Sequence, residues 1–140
     1  MGKAKKIFSQ KEKRMSRKIV STKKAPEAIG PYSQAIIANG MVFTSGQIPI
    51  VPSSGKIEAT DISGQTKQVM ENLGEVLKSA GTDFSKVIKT TIFLVDLSHF
   101  GTVNEIYGKF FTKDPPARST VQVAKLPKDS LIEIEMTALV

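Results

Sequence analysis

Val87-Ile88-Lys89-Thr90-Thr91-Ile92-Phe93-Leu94-Val95 is the stretch on which the fold turns. It is rich in β-branched residues and carries apolar side chains on both alternating faces, the pattern of an interior strand covered on two sides. On its N-terminal side, Asp61 stands where a helix N-cap would. Ile62, Val69, Leu73, Val76, Leu77 and Ala80 then follow the helical period, and Gly81 occupies the place of a helix C-terminus. Gly64 and Gly74 weaken that helix on propensity, which close packing against a sheet would offset. On the C-terminal side, Phe100–Phe111 reads as a second helix with Val103, Ile106, Tyr107 and Phe110 on one stripe.

Further out, the apolar runs Ala35–Ala38 and Met41–Thr44 flank Asn39-Gly40, a two-residue hairpin signal because both residues accept positive φ. Ile50–Lys56 holds Pro52, two serines and Gly55 and reads as a loop. Pro115-Pro116 closes the second helical region. Arg118–Ala124 and Leu131–Val140 read as strands joined by the turn Leu126-Pro127-Lys128-Asp129. The order β-β-β-α-β-α-β-β, with hairpins at both ends, predicts an α+β domain whose two helices cover one face of a sheet. The apolar opposite face of Val87–Val95 then needs another cover, and a second subunit is the simplest one.

The 140 residues make one domain, and its 40% apolar and 24% charged residues are those of a globular protein. The chain has no apolar run of membrane-spanning length, and with no cysteine it has neither disulfides nor a thiolate nucleophile. The absence of cysteine fits a reducing compartment, so a cytoplasmic location is expected. The net charge of +7 invites a nucleic-acid reading, but residues 1–18 hold eight basic residues and one acid, leaving twelve of each in 19–140. A neutral body with a basic arm is a poor footprint for reading DNA or RNA. Residues 1–17 are therefore set apart from the domain at 18–140. The arm reads as a solvated tail, an organellar targeting segment, or a tether to nucleic acid or anionic membrane.

Motif searches exclude more than they find. GxGxxG, P-loop, HExxH and CxxC are all absent, and the lone His99 reads as a surface or capping residue, which leaves no histidine triad or zinc site. Gly30-Pro31-Tyr32-Ser33-Gln34 is a stiffened turn that either buries a core tyrosine or fixes Tyr32 at a site. Thr44-Ser45-Gly46-Gln47-Ile48-Pro49 is a strand exit where Gly46 lets backbone approach a ligand. Arg118 opens a polar strand and offers paired N–H donors to a carboxylate, a surface salt bridge being the alternative. In Ile132-Glu133-Ile134-Glu135-Met136, alternation puts both glutamates on the face opposite the isoleucines. There one carboxylate positions a water, or both are simply exposed acids.

Taken together, Ala28-Ile29-Gly30-Pro31-Tyr32-Ser33-Gln34-Ala35, Thr44-Ser45-Gly46-Gln47-Ile48-Pro49, Pro116-Ala117-Arg118-Ser119 and Leu126-Pro127-Lys128-Asp129 with Ile132-Glu133-Ile134-Glu135 resemble the RidA (YjgF/YER057c/UK114) family in order and spacing. The likeness runs from about Arg17 to Val140. It implies a chorismate-mutase-like mixed sheet backed by two helices, and a homotrimer with ligand sites in clefts between subunits. The implied activity is hydrolysis of 2-imino acids such as 2-iminobutanoate and 2-iminopropanoate to 2-keto acids, with no metal and no cofactor. Arg118 would grip the substrate carboxylate and Glu133 would orient the attacking water. Tyr32, Ser45, Gly46, Asn104 and Thr120 would line the cleft. Two departures stand out: Thr112-Lys113-Asp114-Pro115 is shorter than in many members, and Thr120 replaces a common cysteine. A sensor that binds small carboxylates without turnover, and an RNA-directed translation inhibitor or endoribonuclease, are the rival readings. No membrane partner is expected, and nucleic acid is disfavoured.

Overall fold

The computed structural model describes residues 2–140. Eight strands and three α-helices follow one another as α1 (Gln10–Met15), β1 (Arg17–Val20), β2 (Ala35–Ala38), β3 (Met41–Thr44), β4 (Ile50–Val51), β5 (Lys56–Ile57), α2 (Ile62–Ser79), β6 (Val87–Leu94), α3 (Phe100–Gly108), β7 (Ala117–Gln122) and β8 (Ile132–Leu139). Six strands form one sheet in the order β1-β2-β3-β8-β6-β7. Every neighbouring pair is antiparallel except β6–β7, so the sheet is mixed. The α+β architecture expected from the pattern is the one observed.

Local signals place the first half. Asn39 and Gly40 both adopt positive φ (50° and 74°), and this primed turn joins β2 to β3 in register. Asp61 caps α2 by accepting from the Gly64 N–H, and Gly81 N and Thr82 N close its far end on the Lys78 and Leu77 carbonyls. Gly64 and Gly74 are explained by loop packing, where the sheet was expected. A Cβ at Gly64 would lie 2.8 Å from the Ala59 Cβ, and one at Gly74 would lie 3.1 Å from the Phe84 ring. Val69, Met70, Leu73, Val76 and Leu77 of α2 pack on Val42, Ile92, Ile134 and Met136, all fully or nearly fully buried. The basic arm carries α1, whose Ser9 and Glu12 form a reciprocal capping box.

Three expectations are corrected. Ile50–Lys56 includes a two-stranded ribbon, β4 with β5, whose turn holds the loop residues. The second helix ends at Gly108, and Phe110 and Phe111 leave it to stack edge-on against Phe84 at 5.3 and 5.5 Å. The C-terminal hairpin does not exist: β8 lies between β3 and β6, and β7 pairs only with β6, in parallel. Composition explains the exchange. Ile132, Ile134, Met136 and Ala138 need the centre of the sheet beneath α2, whereas the polar strand Arg118-Ser119-Thr120-Val121-Gln122 tolerates an edge.

Both crossovers, β3–α2–β6 and β6–α3–β7, carry their helices over the same face, leaving the other face bare. There Ile19, Ile36 and Phe43 stand in one row across β1, β2 and β3. Ile19 is 60% exposed and Phe43 43% exposed, with Val121 of β7 also at 43%. Together they form an exposed apolar patch on the face that the helices leave uncovered.

Candidate functional site

The loop before β2 is built around the buried side chain of Gln34. Its Oε1 accepts from the Thr22 N–H at 2.7 Å, and its Nε2 donates to the Pro26 carbonyl at 2.8 Å and the Thr22 carbonyl at 3.0 Å. This anchor holds the turn containing Tyr32, whose hydroxyl accepts from the Ile29 N–H at 3.3 Å. Tyr32 is 52% exposed, so it is a surface-lining residue and not a core tyrosine. Ser45 fastens β3 to the same loop: its hydroxyl donates to the Ser33 carbonyl at 2.6 Å and its N–H to the Gln34 carbonyl at 2.9 Å.

Between loop and sheet lies a cleft of about 510 Å³ lined by Ile29, Tyr32, Ser45, Gly46, Ile48 and Glu133, among others. Glu133 comes from β8, where alternation does put both glutamates opposite Ile132 and Ile134. Its carboxylate lies directly over Gly46, so that a Cβ there would sit 2.7 Å from both Cδ and Oε2. Gly46 thus admits the close approach read from sequence, to a side chain of the same chain. Burial pushes the Glu133 carboxyl above the ordinary glutamate range, and the like charge of Glu135 on the same face adds to the shift. A half-buried carboxylate with a raised pKa beside apolar walls is suited to accepting a proton from water near neutrality.

Arg118 lies elsewhere. It is paired with Thr90, and Thr90, Ile92 and Leu94 face the helices, whereas Glu133 is paired with Phe93 on the bare face. Arg118 and Glu133 therefore project from opposite faces of one sheet. Arg118 stands against the rings of Phe100 and Tyr107, at 5.4 and 5.0 Å from its Cζ; Asn104 lies between them on α3, and Thr120 follows two residues on along the same face of β7. Its guanidinium forms no ion pair among the described residues, where the single salt bridge is Lys125–Asp129. β7 is the edge of the sheet, so alternate backbone carbonyls near Arg118–Thr120 face outward without strand partners.

The chain thus brings Tyr32, Ser45, Gly46 and Glu133 together at one cleft and sets Arg118 and Thr120 on the other face of the sheet, beside the helix that carries Asn104. Two buried side-chain atoms lack hydrogen-bond partners among the described residues, Thr120 Oγ1 and His99 Nδ1. His99 occupies the N-cap of α3 but makes no side-chain cap bond, contrary to the capping reading. Among the described residues no three His, Asp or Glu side chains gather as a metal site, and no helix is long and apolar enough to cross a membrane.

Residues 22–140 match the protein family described as Endoribonuclease L-PSP. The chain belongs to this family, the RidA family. It is 54% identical over 124 residues to Reactive Intermediate Deaminase A, chloroplastic, of Arabidopsis thaliana, covering 89% of this chain and 66% of the plant protein. It is 50% identical over 123 residues to the human 2-iminobutanoate/2-iminopropanoate deaminase, covering 88% of this chain and 90% of that protein. A crystal structure of a Rid-family protein from Yersinia pestis superimposes with a TM-score of 0.88 at 49% identity, covering 89% of this chain and all of the other. The mixed sheet with few helices is thus the RidA fold.

Reasoning from sequence missed the two rings beside Arg118. Tyr107 was visible only as part of an apolar helical stripe, and Phe100 as a helix start. The signal that joins them is their spacing of seven residues, but the strand they face is known only once β7 is set against β6.

Proposed function

We propose that this RidA-family chain hydrolyses 2-imino acids to 2-keto acids and ammonia, in an assembly where each site combines the Glu133 half of one subunit with the Arg118 half of another. The names of the plant and human relatives support the reaction. The observation that carries the reading for this chain is the pair of uncommitted charges: a desolvated carboxylate over Gly46, and a guanidinium with no acidic partner on the opposite sheet face. Neither half alone handles an imino acid, and the bare row Ile19, Ile36 and Phe43 supplies a surface on which copies can join. A homotrimer is the assembly we propose, on the family resemblance, and it is a ring in which one head-to-tail contact repeats until it closes.

In this mechanism Arg118 binds the substrate carboxylate through paired N–H donors, and the outward carbonyls of β7 accept from the iminium N–H groups. Glu133 takes a proton from water as the water oxygen bonds to C2 and the C=N double bond becomes single. The carbinolamine nitrogen then receives the proton from Glu133, the C–N bond breaks, and the C2 hydroxyl becomes the keto oxygen as its proton is released. Imine, water, keto acid and ammonia balance with no redox step and no cofactor. Positioning supplies the acceleration, since no strong nucleophile is required. Residues 1–17 stand outside this chemistry, and the enzyme works in the cytoplasm.

Mixing subunits tests both the reaction and its geometry. Arg118→Ala and Glu133→Gln should each leave only residual protection of 2-iminobutanoate from semicarbazide trapping, with the imine made in situ by a threonine dehydratase. Co-refolded at equal amounts, the two impaired variants should recover about one quarter of wild-type activity, the share of sites that random mixing makes intact. Recovery of none would refute a site shared between subunits, and full activity of either single variant would refute that residue's role.

A further inference from the structure

Arg118 is held by rings and by no carboxylate among the described residues. Its Cζ lies 5.0 Å from the centroid of Tyr107 and 5.4 Å from that of Phe100, within cation–π range of both. The two aromatic residues are seven positions apart on α3, roughly two turns, and so lie on one stripe of the helix. Asn104, four residues after Phe100, falls on the same stripe between them. The stripe faces β7 across the register in which Arg118 pairs with Thr90.

Tyr107 is itself fixed. It is 4% exposed, its ring packs at 4.7 Å on Phe111, and its hydroxyl shares a 2.7 Å hydrogen bond with the fully buried Thr90. Burial raises its pKa, so the phenol stays neutral and attracts the guanidinium through its ring face.

We infer that Tyr107 and Phe100 form an aromatic clamp that positions Arg118 for the substrate carboxylate while leaving its N–H donors free. The inference rests on the reading of Arg118 as the carboxylate anchor. An acidic partner would fix the guanidinium equally well, but it would occupy the donors and compete with an incoming carboxylate. Rings approach from the π-face and leave the donor edge open. Thr90 acts at one remove: its hydroxyl fixes the phenol, the phenol ring fixes the guanidinium, and the guanidinium binds substrate. The first two are positioning contacts, and neither Thr90 nor Tyr107 touches the reacting atoms.

The clamp predicts a split between binding and turnover. Phe100 is 39% exposed, so its replacement leaves the fold intact. Phe100→Leu should raise KM for 2-iminobutanoate and Kd for 2-oxobutanoate about three- to thirtyfold, with kcat within about twofold and Tm unchanged. Phe100→Trp should restore both constants. Tyr107→Leu should act in the same direction, and Tyr107→Phe should retain most of the binding because the ring remains. Arg118→Ala is the reference. If it raises both constants while Phe100→Leu and Tyr107→Leu leave them unchanged, the clamp is wrong and the anchor stands. If Arg118→Ala leaves both constants unchanged, the anchor is wrong and the clamp falls with it.

Discussion

Replacing Gly46 by alanine perturbs the proposed site at one defined point. The new Cβ would lie 2.7 Å from Cδ and Oε2 of Glu133 and 3.0 Å from its Cγ, whereas ordinary contact begins at 3.4 Å. The carboxylate must therefore retreat by about 0.7 Å, and a misplacement of about 1 Å in a reacting geometry costs on the order of a hundredfold in rate. We expect kcat to fall roughly ten- to hundredfold. KM should hold, because the carboxylate anchor lies in the other half-site. Stability should change by less than about 1 kcal/mol, because the obstacle is the movable end of a side chain and an alanine restricts the unfolded chain. Gly46 is not among the positive-φ glycines, so alanine meets no backbone strain there. The assay is initial-rate imine hydrolysis with semicarbazide competition, alongside thermal melts, repeated in a Glu133→Gln background. If Gly46 acts through Glu133, adding Gly46→Ala to Glu133→Gln should cost nothing further. Wild-type kcat in Gly46→Ala, or an equal loss in both backgrounds, would refute the argument.

Because burial raises the Glu133 pKa and Glu135 raises it further, the acidic limb of kcat/KM should lie above the ordinary glutamate range, and Glu135→Gln should move it to lower pH. The same shift has a stability consequence: folded Glu133 holds its proton more tightly than unfolded Glu133, so its contribution is favourable at low pH and is lost as pH rises through the folded pKa. Glu133→Gln should then melt higher than wild type at pH 7, and an unchanged melting temperature would contradict the desolvation. Phe43→Glu on the bare face should give a folded, dissociated chain by sedimentation with no deaminase activity; an active assembly would show that this row is not the contact surface. Gly40→Val forces a side chain into φ 74° and should cost about 1–2 kcal/mol in denaturant unfolding; no loss would mean that the primed turn is not needed. Deleting residues 2–17 should leave kcat unchanged, and the full chain should show no salt-dependent RNA cleavage for that deletion to remove. A reporter fused to the full chain should stay in the cytoplasm, and arm-dependent organellar uptake would overturn that location.

Much of the fold was legible because its signals are local. Asn39-Gly40 specifies a turn through its own φ preferences, and Asp61 and Gly81 bound α2 through hydrogen bonds to residues within a turn of themselves. The alternation Ile132-Glu133-Ile134-Glu135 assigned faces correctly because period two is a property of any strand. The C-terminal hairpin was misread for the opposite reason. Adjacency in sequence favours pairing β7 with β8, but the burial demand of β8 is met only between β3 and β6, and no local residue records that competition.

The candidate site divides along the same line. Tyr32, Gly46, Arg118 and Glu133 could be named from their local pattern, whereas Ser45, Asn104 and Thr120 come only through the family resemblance. That Glu133 closes over Gly46, that Arg118 stands between two rings, and that the two charges face opposite sides of the sheet depend on pairings between segments far apart in the chain. The residue types, the ends of α2, the primed turn and the concentration of charge in residues 1–18 follow from the sequence by itself, since each rests on one residue's conformation or on composition. The division of these residues between the two faces of the sheet was decided only in the tertiary structure, because a side chain's face is set by the register of its strand. Register here is the outcome of burying Ile92, Ile134 and Met136 together beneath α2.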